Sequence, residues 1–229
     1  MTYMKKKAPI FVSIDTTDLV KANKLASSLQ DLVAGIKLGK EFFTQNGPAG
    51  VLSISKSGLP IFLDLKFHDI PNTVVGAINA ATKLKPAMLN IHVTGGKSMM
   101  KAAAKAIENK SNRPLLLGVT ILTSLEQKDT NEVGFHGSVS NLVVKLAVLA
   151  KECGLDGVVC SPHEIKKIRK SCGSEFKLVT PGIRLNSSKN DDQKRVTSPS
   201  QAISDGADYL VIGRPITSAK NPRKAAEEI

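Results

Sequence analysis

The sequence predicts a closed (β/α)₈ (TIM) barrel that spans residues 1–229 as one domain. Eight short runs typical of β-strands recur along the 229 residues, and stretches with helical spacing of apolar residues lie between them. Strands that alternate with helices indicate a parallel sheet with right-handed crossovers. Eight such units in about 200–250 residues favour closure into a barrel. No G-x-G-x-x-G follows the first run, which argues against an open dinucleotide-binding sheet.

The predicted strands lie near Ile10–Ile14, Ala34–Leu38, Pro60–Lys66, Ala87–His92, Pro114–Thr120, Gly157–Cys160, Lys177–Thr180 and Tyr209–Ile212. Helical spacing is clearest between the first and second strands, between the third and fourth, and between the fifth and sixth. Two long loops are predicted, over residues 123–137 and 184–196. Long loops in compact domains are typically lids, binding loops or disordered segments. For residues 184–196, a plain surface loop is as good an interpretation as a functional loop.

Composition limits the classes of function. With 41% hydrophobic and 23% charged residues the chain is not disordered, and no apolar run approaches the about 18 residues of a membrane span. Three cysteines without a C-x-x-C pattern exclude a disulfide scaffold and favour the cytoplasm. The net charge of +12 concentrates anions, either nucleic acid or a phosphorylated metabolite. Dispersed basic residues, two Tyr and no Trp argue against nucleic acid, because bases would find few stacking partners.

Charged side chains occur at the carboxyl ends of the predicted strands, where barrels carry their chemistry. Asp15 ends the first strand, Lys37 lies in the second, and Asp64 and Lys66 lie in the third. A charged residue inside an apolar strand is costly unless it is paired or functional. Four of them on one rim therefore indicate a site.

The segment from Asp64 to Thr73 is the most informative. The strand period of two places Asp64 and Lys66 on one face, Asp69 lies past the strand end, and Pro71 suits the first turn of a helix. With Lys37 in reach, we expect alternating Asp and Lys side chains that keep the ammonium groups protonated. The alternative is a buried ion-pair network that merely closes the barrel.

A phosphate site is expected after the last two strands. Arg184 follows the seventh strand, and Gly213 and Arg214 follow the eighth, which are the loops that often bind phosphate in barrels. Gly213 lets backbone N–H groups approach closely, and Arg214 can bind two phosphate oxygens. Gln193, in the polar loop, is expected to close over the phosphate as part of a lid.

The segment Asp64–Thr73 closely resembles the signature of the orotidine 5′-phosphate decarboxylase family. Further segments resemble family elements in family order: Ser13–Asp15, Lys37, Val119–Ser124, Thr180–Arg184, Asp191–Val196 and Ile212–Ile216. The resemblance covers essentially the whole chain. Leu185 departs from it, since many members have a proline there, and this difference concerns the lid hinge.

The resemblance implies decarboxylation of orotidine 5′-phosphate to uridine 5′-monophosphate without a cofactor, the last step of de novo pyrimidine nucleotide synthesis. It implies that Lys66 stabilises the carbanion at pyrimidine C6 and protonates it, and that Asp64 lies near the departing carboxylate. The other implied roles are ribose contacts for Lys37 and Asp15, a pyrimidine contact for Thr123, and a homodimer in which Asp69 and Thr73 reach the partner's site.

Magnesium-dependent sugar-phosphate decarboxylases and synthases are the alternative, because they share D-x-K-x-x-D on the same barrel. They hold the metal partly by a carboxylate after the second strand, where this chain has Lys37. A cation at that position repels a metal, so we predict no metal site. His68 and His92 are left without an assigned role.

Overall fold

The computed structural model describes residues 7–183 and 197–229. Its strands are β1 (Ala8–Ser13), β2 (Val33–Leu38), β3 (Ile61–Phe67), β4 (Met88–His92), β5 (Leu115–Val119), β6 (Gly157–Val159), β7 (Lys177–Thr180) and β8 (Tyr209–Ile212). Each strand is parallel to the next, and β8 pairs with β1 to close the barrel. This confirms the predicted (β/α)₈ barrel, and all eight predicted strands lie within two residues of the observed bounds.

Helices connect the strands around the outside of the barrel. In the described part of the chain they are α1 (Leu19–Ser28), α2 (Lys40–Ser55), α3 (Pro71–Thr82), α4 (Gly96–Ile107), α5 (Gln127–Glu132), α6 (Val139–Glu152), α7 (Ile165–Cys172), α8 (Pro199–Ser204), α9 (Arg214–Thr217) and α10 (Pro222–Glu227). Pro71 is at the first position of α3, as predicted. None of the helices described combines the length and apolar character needed to cross a bilayer.

One apolar layer fills the lower barrel interior. Its buried members are Phe11, Phe62, Met88, Leu117, Val179 and Val211. The Phe11 ring meets the Phe62 ring edge to face, with centroids 6.3 Å apart. Gly35 on β2 makes room for Phe11, because a Cβ at Gly35 would collide with that ring. The intervening residues, such as Leu63 on β3, face outward into the core between strands and helices. The polar side chains of the barrel therefore lie above a dry floor.

Two aspartates close the opposite, amino-terminal end of the sheet. Asp156 precedes β6 and accepts the Leu116 N–H of β5 at 2.7 Å. Asp208 precedes β8 and accepts the Leu178 N–H of β7 at 2.8 Å. Arg169 reaches Asp208 at 2.7 Å and also donates to four backbone carbonyls nearby. These contacts fasten neighbouring strands at the end of the barrel remote from the charged rim.

The predicted loop over residues 123–137 is wrong in one respect, since it contains α5. Glu126 and Asp129 form a capping box, in which each side chain accepts the backbone N–H of the other residue. This reciprocal pair satisfies N–H groups that the start of a helix otherwise leaves without partners. The polar sequence of the segment conceals a short helix on the surface.

We expect Asp208→Ala to lower the free energy of unfolding by about 2 kcal/mol or more, because it removes a buried amide's partner and breaks the contact with Arg169. Urea denaturation measures the change. Asp31→Ala is the matched control, since it removes the exposed ion pair with Arg223 and should cost much less. An equal loss in both variants would contradict a special role for Asp208 at the amino-terminal end of the sheet.

Candidate active site

A cavity of about 280 Å³ opens at the carboxyl ends of the strands, directly above the apolar layer. Seven of the predicted site residues line it: Asp15, Lys37, Asp64, Lys66, Thr123, Gly213 and Arg214. Ser13 and Asp64 each follow a member of the apolar layer by two positions on the same strand, and Gly213, just past the end of β8, follows Val211 in the same way. Strand parity therefore brings these positions into one ring.

Four charges of alternating sign form a chain of ion pairs along one wall of this cavity. Lys37 Nζ lies 3.6 Å from Asp15 Oδ1 and 3.2 Å from Asp64 Oδ2. Lys66 Nζ lies 2.6 Å from Asp64 Oδ1. Asp64 and Lys37 are nearly buried, with about a tenth of each side chain exposed, whereas half of Asp15 is exposed. The middle of the chain is thus shielded from water, and Asp15 at its outer end is open to it.

Asp64 is the electrostatic centre of the chain. Burial alone would raise the pKa of its carboxyl group, but the positive charges of Lys37 and Lys66 oppose this effect. Hydrogen bonds from Lys66 and Asn90 act in the same direction as those charges. Together they lower the pKa of Asp64 to about 2. The carboxylate therefore stays ionised throughout the physiological pH range, beside two ammonium groups.

The backbone at Lys66 is not that of an ordinary strand. Its φ is +53°, in the left-handed region that residues with a side chain rarely adopt. The β3–β4 ladder shifts register between Leu63 and Phe67, on either side of this position. Lys66 still faces the cavity with Asp64, as strand parity predicts, but its conformation differs from the regular strand that was expected.

The cavity lining also contains the predicted phosphate residues Gly213 and Arg214, at the end of β8 and the start of α9. A Cβ at Gly213 would lie 3.3 Å from that of Ser13, so a larger residue would crowd the cavity wall. Gly182, after β7, also lines the cavity and has a φ of +80°. Ile183 forms a β-bridge with Thr197 beside this wall.

Two predicted residues that the structure describes do not line the cavity. Asp69 and Thr73 are exposed on the outer surface, where Asp69 Oδ1 accepts the Ile70 N–H at 2.6 Å. Ile70 between them is 66% exposed. Arg184 and Gln193 lie outside the described residues.

Sequence reasoning missed Asn90, a fully buried residue on β4 that contacts both Asp64 and Lys66. Its signal was a polar residue inside the apolar run Ala87–His92, at the inward parity of Met88. It also missed Ser13, whose hydroxyl donates to Asp15 Oδ2 at 2.7 Å and steadies the outer end of the charge chain.

His68 and His92 stack with ring centroids 5.1 Å apart. Burial is the main reason why the pKa of His92 falls to about 4, and the positive charges of His68, Lys40 and Lys66 add to the shift. The shift leaves His92 neutral near pH 7. Within residues 7–183 and 197–229, no group of three or more His, Cys, Asp or Glu side chains is placed to hold a metal ion.

Comparisons with known proteins agree on one family. The model of the orotidine 5′-phosphate decarboxylase / HUMPS family matches residues 8–229. The orotidine 5′-phosphate decarboxylase of Rhodospirillum rubrum is 50% identical over 227 residues, which cover 96% of this chain and 92% of the relative. That of Wolbachia pipientis is 48% identical over 221 residues, 96% of each chain. The crystal structure of orotidine 5′-phosphate decarboxylase from Lactobacillus acidophilus matches with a TM-score of 0.83 at 36% identity, covering 96% of both chains.

The lowered pKa of His92 predicts a pH dependence of stability. Below pH 6.5 the unfolded chain binds a proton on this histidine that the folded chain refuses until about pH 4. Stability therefore falls as the pH drops through this window. In urea denaturation at pH 7 and pH 4.5, His92→Asn should lose less stability on acidification than the unmodified protein. His136→Asn, which removes an exposed histidine, is the control, and equal losses in all three proteins would contradict the assignment.

Proposed function

Since this chain belongs to the orotidine 5′-phosphate decarboxylase / HUMPS family, we propose that it converts orotidine 5′-phosphate to uridine 5′-monophosphate without a cofactor. The observation that carries the proposal is the chain of ion pairs from Asp15 to Lys66 along a cavity with Arg214 on its wall. A substrate with a phosphate and a carboxylate needs cations at two separate places. Lys66 and Arg214 offer them.

The chemistry explains why an ammonium group is needed. When the bond between C6 and the carboxylate breaks, carbon dioxide leaves and the electron pair stays on C6. No adjacent carbonyl group can absorb that charge. An ammonium beside C6 stabilises the developing carbanion and then donates a proton to it, and the lysine regains its proton from solvent. We assign this role to Lys66, whose Nζ lies 2.6 Å from the ionised carboxylate of Asp64.

Other residues that line the cavity are proposed to make the remaining substrate contacts. Asp64 is proposed to face the departing carboxylate, where its negative charge favours release. Lys37 and Asp15 are proposed to bind the ribose hydroxyls, and Thr123 the pyrimidine. The position of Lys37 between two carboxylates leaves it a fixed donor at the cavity wall.

At the phosphate end, Gly213 and Arg214 are proposed to bind the phosphate oxygens, with Arg184 and Gln193 completing the site. Arg214 lies at the start of α9, and its guanidinium can bind two phosphate oxygens at once, which supports this assignment. Contacts to the phosphate are remote from C6, so their binding energy is available to organise the reacting end.

We propose that the protein acts as a cytoplasmic homodimer in which Asp69 and Thr73 complete the partner's site. Their exposure outside the cavity of their own chain supports this arrangement. The free cysteines of the described chain are all buried, in keeping with thiols that serve as apolar core.

The magnesium-dependent alternative is disfavoured by the position of Lys37. Its ammonium lies 3.2 Å from Asp64, at the place where the alternative needs a carboxylate ligand. A fixed cation there would repel a divalent metal.

Purified protein in EDTA should convert orotidine 5′-phosphate to uridine 5′-monophosphate, which the change in ultraviolet absorbance follows. Lys66→Ala should lower turnover on the order of 10³-fold or more, because it removes both the stabilising charge and the proton donor. Lys97→Ala, which removes an exposed lysine paired with Glu152, is the matched control and should keep full turnover. Substantial turnover by folded Lys66→Ala would remove Lys66 from its proposed role.

Shared sites predict complementation between two inactive variants. A hybrid dimer of Lys66→Ala and Asp69→Ala chains holds one site with both native residues. After subunit exchange of an equal mixture, we expect roughly a quarter of the native activity per chain pair, since half of the dimers are hybrids with one intact site each. Native mass spectrometry verifies the exchange. Hybrid dimers without activity would argue against sharing.

A further inference from the structure

Asn90 is the one fully buried amide that bridges two members of the charge chain among the described residues. Its Nδ2 donates to Asp64 Oδ1 at 2.6 Å, and its Oδ1 accepts the backbone N–H of Lys66 at 2.8 Å. The orientation of the amide follows from its partners, because a backbone N–H can only donate and an ionised carboxylate can only accept. Asn90 is fully buried and does not line the cavity.

The contact with Lys66 occurs where the backbone is least regular. Lys66 has a φ of +53°, and the β3–β4 register shifts around it. A left-handed conformation costs a residue with a Cβ about 1 kcal/mol or more and persists only where the surroundings hold it. The Asn90 carbonyl, which comes from the neighbouring strand, accepts the N–H of this residue and favours the unusual conformation.

The two oxygens of the Asp64 carboxylate have different partners. Oδ1 receives both the Asn90 amide and the Lys66 ammonium, each at 2.6 Å, while Oδ2 faces Lys37 at 3.2 Å. Asn90 thereby fixes the rotation of the carboxylate that in turn fixes the lysine. A neutral amide does this without changing the balance of charge in the cavity wall.

We propose that Asn90 is a positioning residue for the decarboxylation, which holds the Lys66 backbone and the Asp64 carboxylate so that the ammonium lies at the reacting carbon. This inference rests on the proposed function of Lys66. A misplacement of about 1 Å can cost on the order of 100-fold in rate, so the contribution of such a residue is measurable in kcat.

Asn90→Asp and Asn90→Ala test the proposal together. The carboxyl group that Asn90→Asp introduces has the shape of the amide when it is protonated, since its O–H donates to Asp64 and its C=O accepts from Lys66. Once this carboxyl group is ionised, its negative charge repels the carboxylate of Asp64. Burial and the charge of Asp64 favour the protonated form, whereas Lys37 and Lys66 favour the ionised one, and His92 is the nearest further titratable group on β4.

We measure kcat, KM and the affinity for uridine 5′-monophosphate from pH 5 to pH 9, with circular dichroism at each pH to verify folding. Asn90→Ala should lower kcat by roughly 10- to 100-fold at every pH, with nucleotide affinity within about threefold of the native value. The kcat of Asn90→Asp relative to the native protein should rise as the pH falls. Asn23→Ala, which removes an amide between α1 and Ser53 of α2, is the control and should keep the native kcat and pH profile.

The outcomes separate this inference from the proposed function. No turnover by the folded native protein would overturn the function, and the inference with it. Native turnover combined with a native kcat in Asn90→Ala would overturn the inference alone. The inference also fails if Asn90→Asp and Asn90→Ala lose the same factor at every pH, because a purely structural role predicts no proton-dependent recovery.

Discussion

The buried carboxylate of Asp64 is the constraint on which the rest of the site depends. A charge with so little exposure is stable only if opposite charges and hydrogen-bond donors surround it. Lys37 on β2, Lys66 on β3 and Asn90 on β4 meet that requirement from three adjacent strands. Each of these side chains is in turn oriented by the carboxylate, so none of them has an independent position. The charged groups of the site are therefore already oriented before any ligand enters, and the free energy that orients them comes from the folding of the barrel.

The apolar layer below the cavity makes this arrangement effective. Phe11 and Phe62 fill the barrel interior under the charge chain, and Gly35 yields the space that the Phe11 ring occupies. The floor excludes water from the lower side of Asp64, which strengthens its interactions with the lysines. Charge and packing are thus arranged in successive layers of the same strands, two residues apart.

Much of this architecture follows from local sequence. The strand positions, the inward parity of Asp64 and Lys66, and the gathering of Lys37 and Arg214 at one rim all depend on periodicity that a single segment reveals. The positive φ of Lys66 and the bridging role of Asn90 depend on the register of β3 against β4, which no single segment contains. The helix α5 is a different case, because its capping pair Glu126 and Asp129 was visible at the correct spacing inside a segment read as a loop.

The two ends of the barrel have different roles. At one end Asp156 and Asp208 join neighbouring strands through their backbone amides, and at the other the charge chain surrounds the cavity. Evolution can therefore act on them separately: exchanges at the rim redirect specificity while the base preserves mutational robustness. A lineage that adapts to heat has room to reinforce the base without disturbing catalysis. The same division gives a protein engineer a barrel whose thermal tolerance and chemistry are adjustable one at a time.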